Sequence, residues 1–117
     1  MSQTPTSEAE QIELDIKNAQ AAVDLRDLVL KLNRNPAFRK VVNENYFEKE
    51  AARLALLLTD PAIIMNDQAT MVHNDIAGVG AFKRYLSILV QMGNQAEDAI
   101  LNAEAELEDI RAEEQED

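Results

Sequence analysis

A long apolar repeat near the C-terminal end of the chain limits most strongly what the sequence can fold into. Ten positions, spaced alternately three and four apart, are all apolar or glycine: Val79, Phe82, Leu86, Leu89, Gly93, Ala96, Ile100, Ala103, Leu107 and Ile110. We call this set the seam. The spacing places all ten residues on one face of a helix, over about 47 Å at 1.5 Å per residue. The seam therefore predicts a helix that packs lengthwise against another helix, with these ten residues as the interface.

The composition favours an all-α protein. The chain has 117 residues, of which only 4% are aromatic, three are glycine and three are proline. It contains no cysteine, so disulfides and thiolate metal sites are excluded. This length supports one small domain. We predict an all-α fold: a small bundle of about three main helices with a long, coiled-coil-like C-terminal helix.

Capping signals give the helix boundaries. Ser7 and Glu10 match the capping box of a helix start, and an Asn-Pro pair at residues 35–36 both ends one helix and begins the next. A second such pair, Asp60-Pro61, opens a short helical turn. The predicted helices cover about residues 8–33, 36–58, 61–65 and 68–113. Gly78 and Gly80 are expected to bend or break the last helix.

The first helix carries two apolar stripes. One consists of Ile12, Ile16, Ala19 and Val23, and a neighbouring one consists of Leu25, Leu28 and Leu32. Beyond Gly93, the seam in the last helix narrows and acidic residues surround it. The expected organisation is a flexible tail over 1–7, a helical bundle over 8–96 and an acidic helical extension with a frayed end over 97–117. The seam in this extension is expected to project beyond the shorter helices and to pair with another chain.

Negative charge is concentrated at the C-terminal end. The formal net charge is −11, and residues 97–117 hold ten acidic residues and one basic residue, whereas residues 1–96 have a net charge of −2. Direct nucleic-acid binding is not expected, because phosphate recognition requires clustered Lys and Arg. Five basic residues near the second helix alternate with glutamates and are interpreted as a solvated face: Arg34, Arg39, Lys40, Lys49 and Arg53. The acidic end has two interpretations, a solvated helix end or a mimic of nucleic-acid phosphates that covers a basic site on a partner.

No motif predicts catalysis or cofactor binding. His73 is the only histidine, and Asp75, two positions away, would not face it on a helix. Asp60, Asp67 and Asp75 do not have the spacing of a calcium loop. No catalytic, cofactor-binding or metal-binding residue is therefore predicted, and an enzyme is the least expected class. No apolar stretch is long enough to suggest a membrane span.

Two segments resemble small acidic helical proteins of tailed bacteriophages, a group often encoded near virion structural genes. The first runs from Leu32 to Leu54 and includes the sequence LNRNPAFRKVV, and the second is DIAGVGAFKRYL over residues 75–86. The resemblance implies a phage setting, in the virion or the host cytoplasm, and carries over no functional residue. Two functions stay open. One is a non-enzymatic virion structural or assembly protein that associates with itself or with another helical protein, such as a phage structural protein. The other is an acidic inhibitor, or nucleic-acid mimic, of a host protein.

Overall fold

The computed structural model describes residues 7–115, and every regular element in this range is helical. The elements are α1 (Glu8–Arg34), α2 (Pro36–Phe38), a π-helical segment (Arg39–Glu50), α3 (Ala51–Leu57), α4 (Pro61–Met65) and α5 (Gln68–Gln115). The prediction of an all-α chain with a long last helix is confirmed. The expected flexible tail and frayed end fall mostly on residues 1–6 and 116–117, which lie outside the described residues.

Side-chain caps set the helix starts where the sequence predicts them. The Ser7 hydroxyl accepts a hydrogen bond from the Glu10 backbone N–H at 3.1 Å, and Gln11 N–H donates to the Ser7 carbonyl at 3.0 Å. Asn35 accepts from Phe38 N–H at 3.0 Å, and Asp60 accepts from Ala62 N–H at 2.9 Å. These bonds pair backbone donors that lack intrahelical partners.

The second helix contains a feature that the sequence does not predict. Residues 39–50 are π-helical, with hydrogen bonds five residues apart, and α2 and α3 continue them without a break. The backbone is right-handed helical at both junctions, at Phe38 and at Glu50. Because the wider turn changes the angle between successive side chains, α-helical spacing does not describe the faces of this segment.

The chain divides into two compact units. Within the described residues, unit 1 combines 7–28 with 89–115, and unit 2 is the continuous stretch 29–88. In the described part of unit 1, the first 21 residues of α1 lie against the C-terminal half of α5. This division differs from the expected one, because the acidic segment 97–115 belongs with α1 in one unit.

The core of unit 2 forms where α3 meets the start of α5. Leu54, Val72 and Val79 are buried together, and Phe47 and Ile76 pack against them. The rings of Tyr46, Phe47 and Phe82 form a cluster with centroids 5.5 to 6.3 Å apart. Phe47, which also packs against the buried core, thus connects the seam residue Phe82 to Val79.

Helix α5 runs unbroken from Gln68 through the glycines at 78 and 80, so the expected break there is wrong. An added Cβ at either glycine would meet nothing within 4 Å. The residue before the helix, Asp67, has φ 57°, in the left-handed region that L-residues other than asparagine and aspartate rarely adopt. The sharp turn between α4 and α5 is thus made at a residue type that tolerates it.

Candidate functional site

The seam is largely covered within the chain. Val79 is 5% exposed in unit 2 and Leu107 is 6% exposed in unit 1. Phe82 is more exposed, at 37%. The other seven are buried or half-buried: Leu86, Leu89, Gly93, Ala96, Ile100, Ala103 and Ile110. Most seam side chains are therefore covered by other parts of the same chain.

In unit 1 the covering helix is α1. Asp15, Ile16 and Ala19 of α1 line a small cavity of about 50 Å³ together with Ala99, Ile100 and Ala103 of α5. Nearer the end of α5, the Arg111 guanidinium donates to the Glu13 carboxylate at 3.0 Å. Rising numbers on one helix meet falling numbers on the other, so the pair is antiparallel. The expectation that no helix of this chain reaches the distal seam is wrong, because α1 is long enough to pair with it. The predicted stripe of α1 at 12, 16, 19 and 23 is the matching face.

Arg26 is the most distinctive polar side chain of the helix pair. It is 9% exposed and occupies the position that continues the buried stripe of α1 after Val23. Its guanidinium donates to Asn94 at 2.9 Å and to Glu97 at 2.6 Å, both on α5, and to the neighbouring Asp27 at 3.0 Å. The hydrogen bond to Glu97, followed by the one to Asp27, raises the pKa of Arg26 above its usual value. Arg26 therefore stays charged and fixes one register of α1 against α5.

Gly93 allows the helices to approach closely at the same level. A Cβ built on Gly93 would lie 2.1 Å from Cβ of Arg26 and 2.8 Å from its Cγ and Cδ. Carbon atoms pack at about 3.5–4.0 Å, so no other residue fits here without a shift. The seam pattern includes Gly93, but no sequence pattern indicates Arg26, because a charged residue interrupts an apolar stripe. The Arg26–Glu97 pairing had no sequence signal beyond opposite charge.

The outward face of α1 carries large apolar side chains. Leu14, Leu25 and Leu28 are 48%, 41% and 60% exposed. Two members of the expected second stripe on α1, Leu25 and Leu28, therefore face solvent within unit 1. On α5, Met92 and Leu101 are also more than half exposed. Large apolar side chains exposed on one helix face are typical of contact surfaces, so this face of α1 is a candidate interaction surface.

The net charges of the two units differ by more than those of residues 1–96 and 97–117. The described part of unit 1, residues 7–28 and 89–115, holds 14 acidic and three basic residues, a net charge of −11. Unit 2 holds six acidic and eight basic residues, a net charge of +2. The acidic surface therefore includes both helices of the pair and is wider than the C-terminal segment alone.

The five basic residues near the second helix are all exposed, in agreement with the expected solvated surface. Lys40 pairs with Glu44 at 3.1 Å, and Arg53 pairs with Glu50. The hydrogen bond from Arg53 to Glu50 raises the pKa of Arg53. An open groove of about 300 Å³ adjoins this pair, and its lining residues are Tyr46, Glu50, Leu54, Asn74, Asp75, Gly78 and Val79.

The remaining polar candidates have local explanations. His73 is exposed on α5, Asp60 caps α4, and Asp67 makes the turn before α5. Within residues 7–115, no three side chains of the metal-binding types converge to hold an ion. In that same part of the chain, none of the helices has the length and apolarity needed to cross a bilayer. Comparisons with family models, curated proteins and solved structures gave no match.

Proposed function

We propose that this protein is a non-enzymatic structural or assembly component of a tailed bacteriophage and acts through helix–helix association, in the virion or the host cytoplasm. The observation that carries the proposal is the exposed apolar face of α1. Leu14, Leu25 and Leu28 lie at coiled-coil spacing and are 41% to 60% exposed, although α1 already buries its opposite face. A surface of this kind is stabilised by contact with another helix. The phage setting rests on the resemblance of residues 32–54 and 75–86.

The surface proposed for association differs from the one that the sequence predicts. Self-association through the distal seam would require α1 to leave α5, because Leu107 is 6% exposed and Gly93 is in contact with Arg26. We therefore place the association surface on the outward face of the pair, where no separation is needed. The partner is a second copy of this chain or a helical phage structural protein.

Two experiments together test this proposal: mass spectrometry of purified virions, and complementation of a phage that lacks the gene. We expect peptides of this protein in virions, or failure of particle assembly when the gene is absent. The double variant Leu25→Asp and Leu28→Asp should fail to complement, while circular dichroism shows an unchanged helical content. Normal particle yield without the gene, together with its absence from virions, would refute an assembly role.

The charge distribution favours a second candidate, an acidic protein that covers a basic site on a host protein. The described part of unit 1 has a net charge of −11, and its α5 portion, residues 89–115, is about 40 Å long. The pair therefore has about one net negative charge per 4 Å, close to the spacing of about 3.4 Å along one strand of DNA. Such a surface would bind a nucleic-acid site through its charge and would not require the exposed leucines.

Neutralising four acids separates the two candidates. In this variant Glu104, Glu106 and Glu108 are changed to Gln, and Asp109 is changed to Asn. The changes remove negative charge and retain the buried face of α5. Under the assembly proposal this variant complements and the leucine double variant does not. Under the acidic-mimic proposal the outcomes are reversed, and added salt weakens the wild-type complex steeply.

A further inference from the structure

We propose that two copies of this chain associate antiparallel through the outward face of α1, in one register that Lys17 and Asp24 select. The inference rests on the proposed function, since it names the partner of the same surface. The face consists of six positions with alternating three- and four-residue spacing: Gln11, Leu14, Asn18, Ala21, Leu25 and Leu28. All six are exposed in the structure.

This face is separate from the one that binds α5. Leu14 lies two positions after Ile12, and Leu25 lies two positions after Val23. Ile12 and Val23 both belong to the buried stripe. Two positions on an α-helix are about 200° apart, so the two stripes lie on opposite sides of α1. A second helix can bind the outward stripe while α5 stays in place.

The spacing assigns core positions of a heptad repeat to the stripe. Asn18 and Leu25 occupy a positions, and Leu14, Ala21 and Leu28 occupy d positions. In an antiparallel pair an a residue packs opposite a d residue. One register then places Leu14 of each copy against Leu25 of the other and Asn18 against Ala21. The small Ala21 leaves room for the Asn18 amide, so that this polar side chain is accommodated at the centre of the contact.

Charge complementarity selects this register and direction. Lys17 and Asp24 are the g positions that flank the a residues, and in antiparallel pairs g positions of the two copies face each other. In the proposed register Lys17 of each copy lies beside Asp24 of the other, which gives two attractive pairs. Moving one copy by a heptad would place Asp24 against Asp24. In a parallel pair Lys17 would face Ala22, and no attraction would form.

Charge-reversal variants in the full-length protein test the proposal. We expect the wild type to show a concentration-dependent monomer–dimer equilibrium by analytical ultracentrifugation, up to about 500 µM, where even weak coiled-coil contacts of this size become populated. Lys17→Asp alone and Asp24→Lys alone each convert two attractive pairs into two repulsive ones. Each variant should dimerise about tenfold more weakly than the wild type.

Mixing the two charge variants gives the decisive result. In a mixed dimer, the Lys17→Asp copy is negative at both g positions and the Asp24→Lys copy is positive at both, so both facing pairs are attractive. A one-to-one mixture should therefore dimerise more strongly than either variant alone. The double variant with both changes should likewise recover self-association. Leu25→Asp should abolish dimerisation, whereas Leu101→Asp, at an exposed leucine on α5, should leave it unchanged. Circular dichroism confirms that each variant is folded.

Two outcomes would overturn the inference. One is a wild-type protein that remains monomeric throughout the concentration range. The other is dimerisation of both charge variants as strong as that of the wild type, with no gain on mixing. If either occurs while virions contain the protein, the proposed function stands with a different partner. If dimers form as described but the phage assembles normally without the gene, the function fails and this inference stands.

Discussion

Replacing Gly93 with alanine should destabilise the protein, although the same change elsewhere in a helix normally stabilises it. At a helix position with free space around it, Gly→Ala raises the free energy of unfolding by about 1 kcal/mol. At Gly93 the new Cβ would lie 2.1 Å from Cβ of Arg26, about 1.5 Å closer than carbon atoms pack. Neither atom can rotate away, because both are attached directly to helix backbone. The helices must separate, and this overpacking should cost about 3 kcal/mol.

The helix gain and the packing cost together give a net loss of about 2 kcal/mol for Gly93→Ala. Gly80→Ala is the matched control, since nothing lies within 4 Å of its added Cβ, and it should gain about 1 kcal/mol. The two variants should therefore differ by about 3 kcal/mol, or about 12 °C in Tm for a chain of this size. Urea and thermal unfolding followed by circular dichroism measure both.

A second change tests the cause of the loss. Arg26→Gly removes the Cβ that the new methyl group meets, whereas Arg26→Ala retains it. Gly93→Ala should therefore cost little in the Arg26→Gly background and its full amount in the Arg26→Ala background. If Gly93→Ala were as stable as Gly80→Ala, the close approach of α1 and α5 would be refuted.

Four further outcomes are expected. Leu107→Ala should lower the free energy of unfolding by about 3 kcal/mol in urea titrations, against less than about 0.5 kcal/mol for Leu101→Ala, and equal losses would contradict the burial of Leu107. Asp67→Ile should cost about 1–2 kcal/mol in the same assay because φ is 57°, whereas Asp67→Gly should not, and tolerance of isoleucine would argue against the left-handed turn. Raising NaCl from about 20 to about 500 mM should increase Tm in calorimetry by screening repulsion in unit 1, and a decrease would mean that ion pairs dominate. Glu97→Gln should lower the free energy of unfolding by less than about 1 kcal/mol, because the Glu97 side chain is 55% exposed. The stability that Arg26 contributes should persist up to strongly alkaline pH, because its raised pKa keeps the guanidinium charged until the pH rises through that value. A pH titration of the Arg26→Met variant against the wild type checks this.

Local signals were sufficient to predict the helices. Ser7, Asn35 and Asp60 fix helix starts through their own side chains, and α1, α2 and α4 begin where these caps and the two prolines predict. Helix ends also agree within one or two residues. The π-helical segment has no such signal, because its hydrogen bonds span five residues instead of four and its sequence is compatible with either pattern.

Local signals could not predict which helix packs against the seam or in which register. The seam shows that a partner helix exists and does not show which helix it is. The stripe of α1 matches it in spacing, but Arg26 lies where an apolar residue would confirm the match. The register depends on two complementary features far apart in sequence, the arginine and Gly93. Neither feature indicates the other until the helices are placed together.

The antiparallel pair also has a consequence for the order of folding. Arg26 and Glu97 are 71 positions apart and Glu13 and Arg111 are 98 apart, so every contact between the two helices closes a long loop. Unit 2 is continuous in sequence and needs much shorter loops. We therefore expect residues 29–88 to acquire protection first in pulsed hydrogen exchange. The pair then closes from the Arg26 level towards Arg111, because each turn formed shortens the loop for the next. Amides of α1 near Glu13 should be the last to gain protection during refolding and the first to lose it in denaturant.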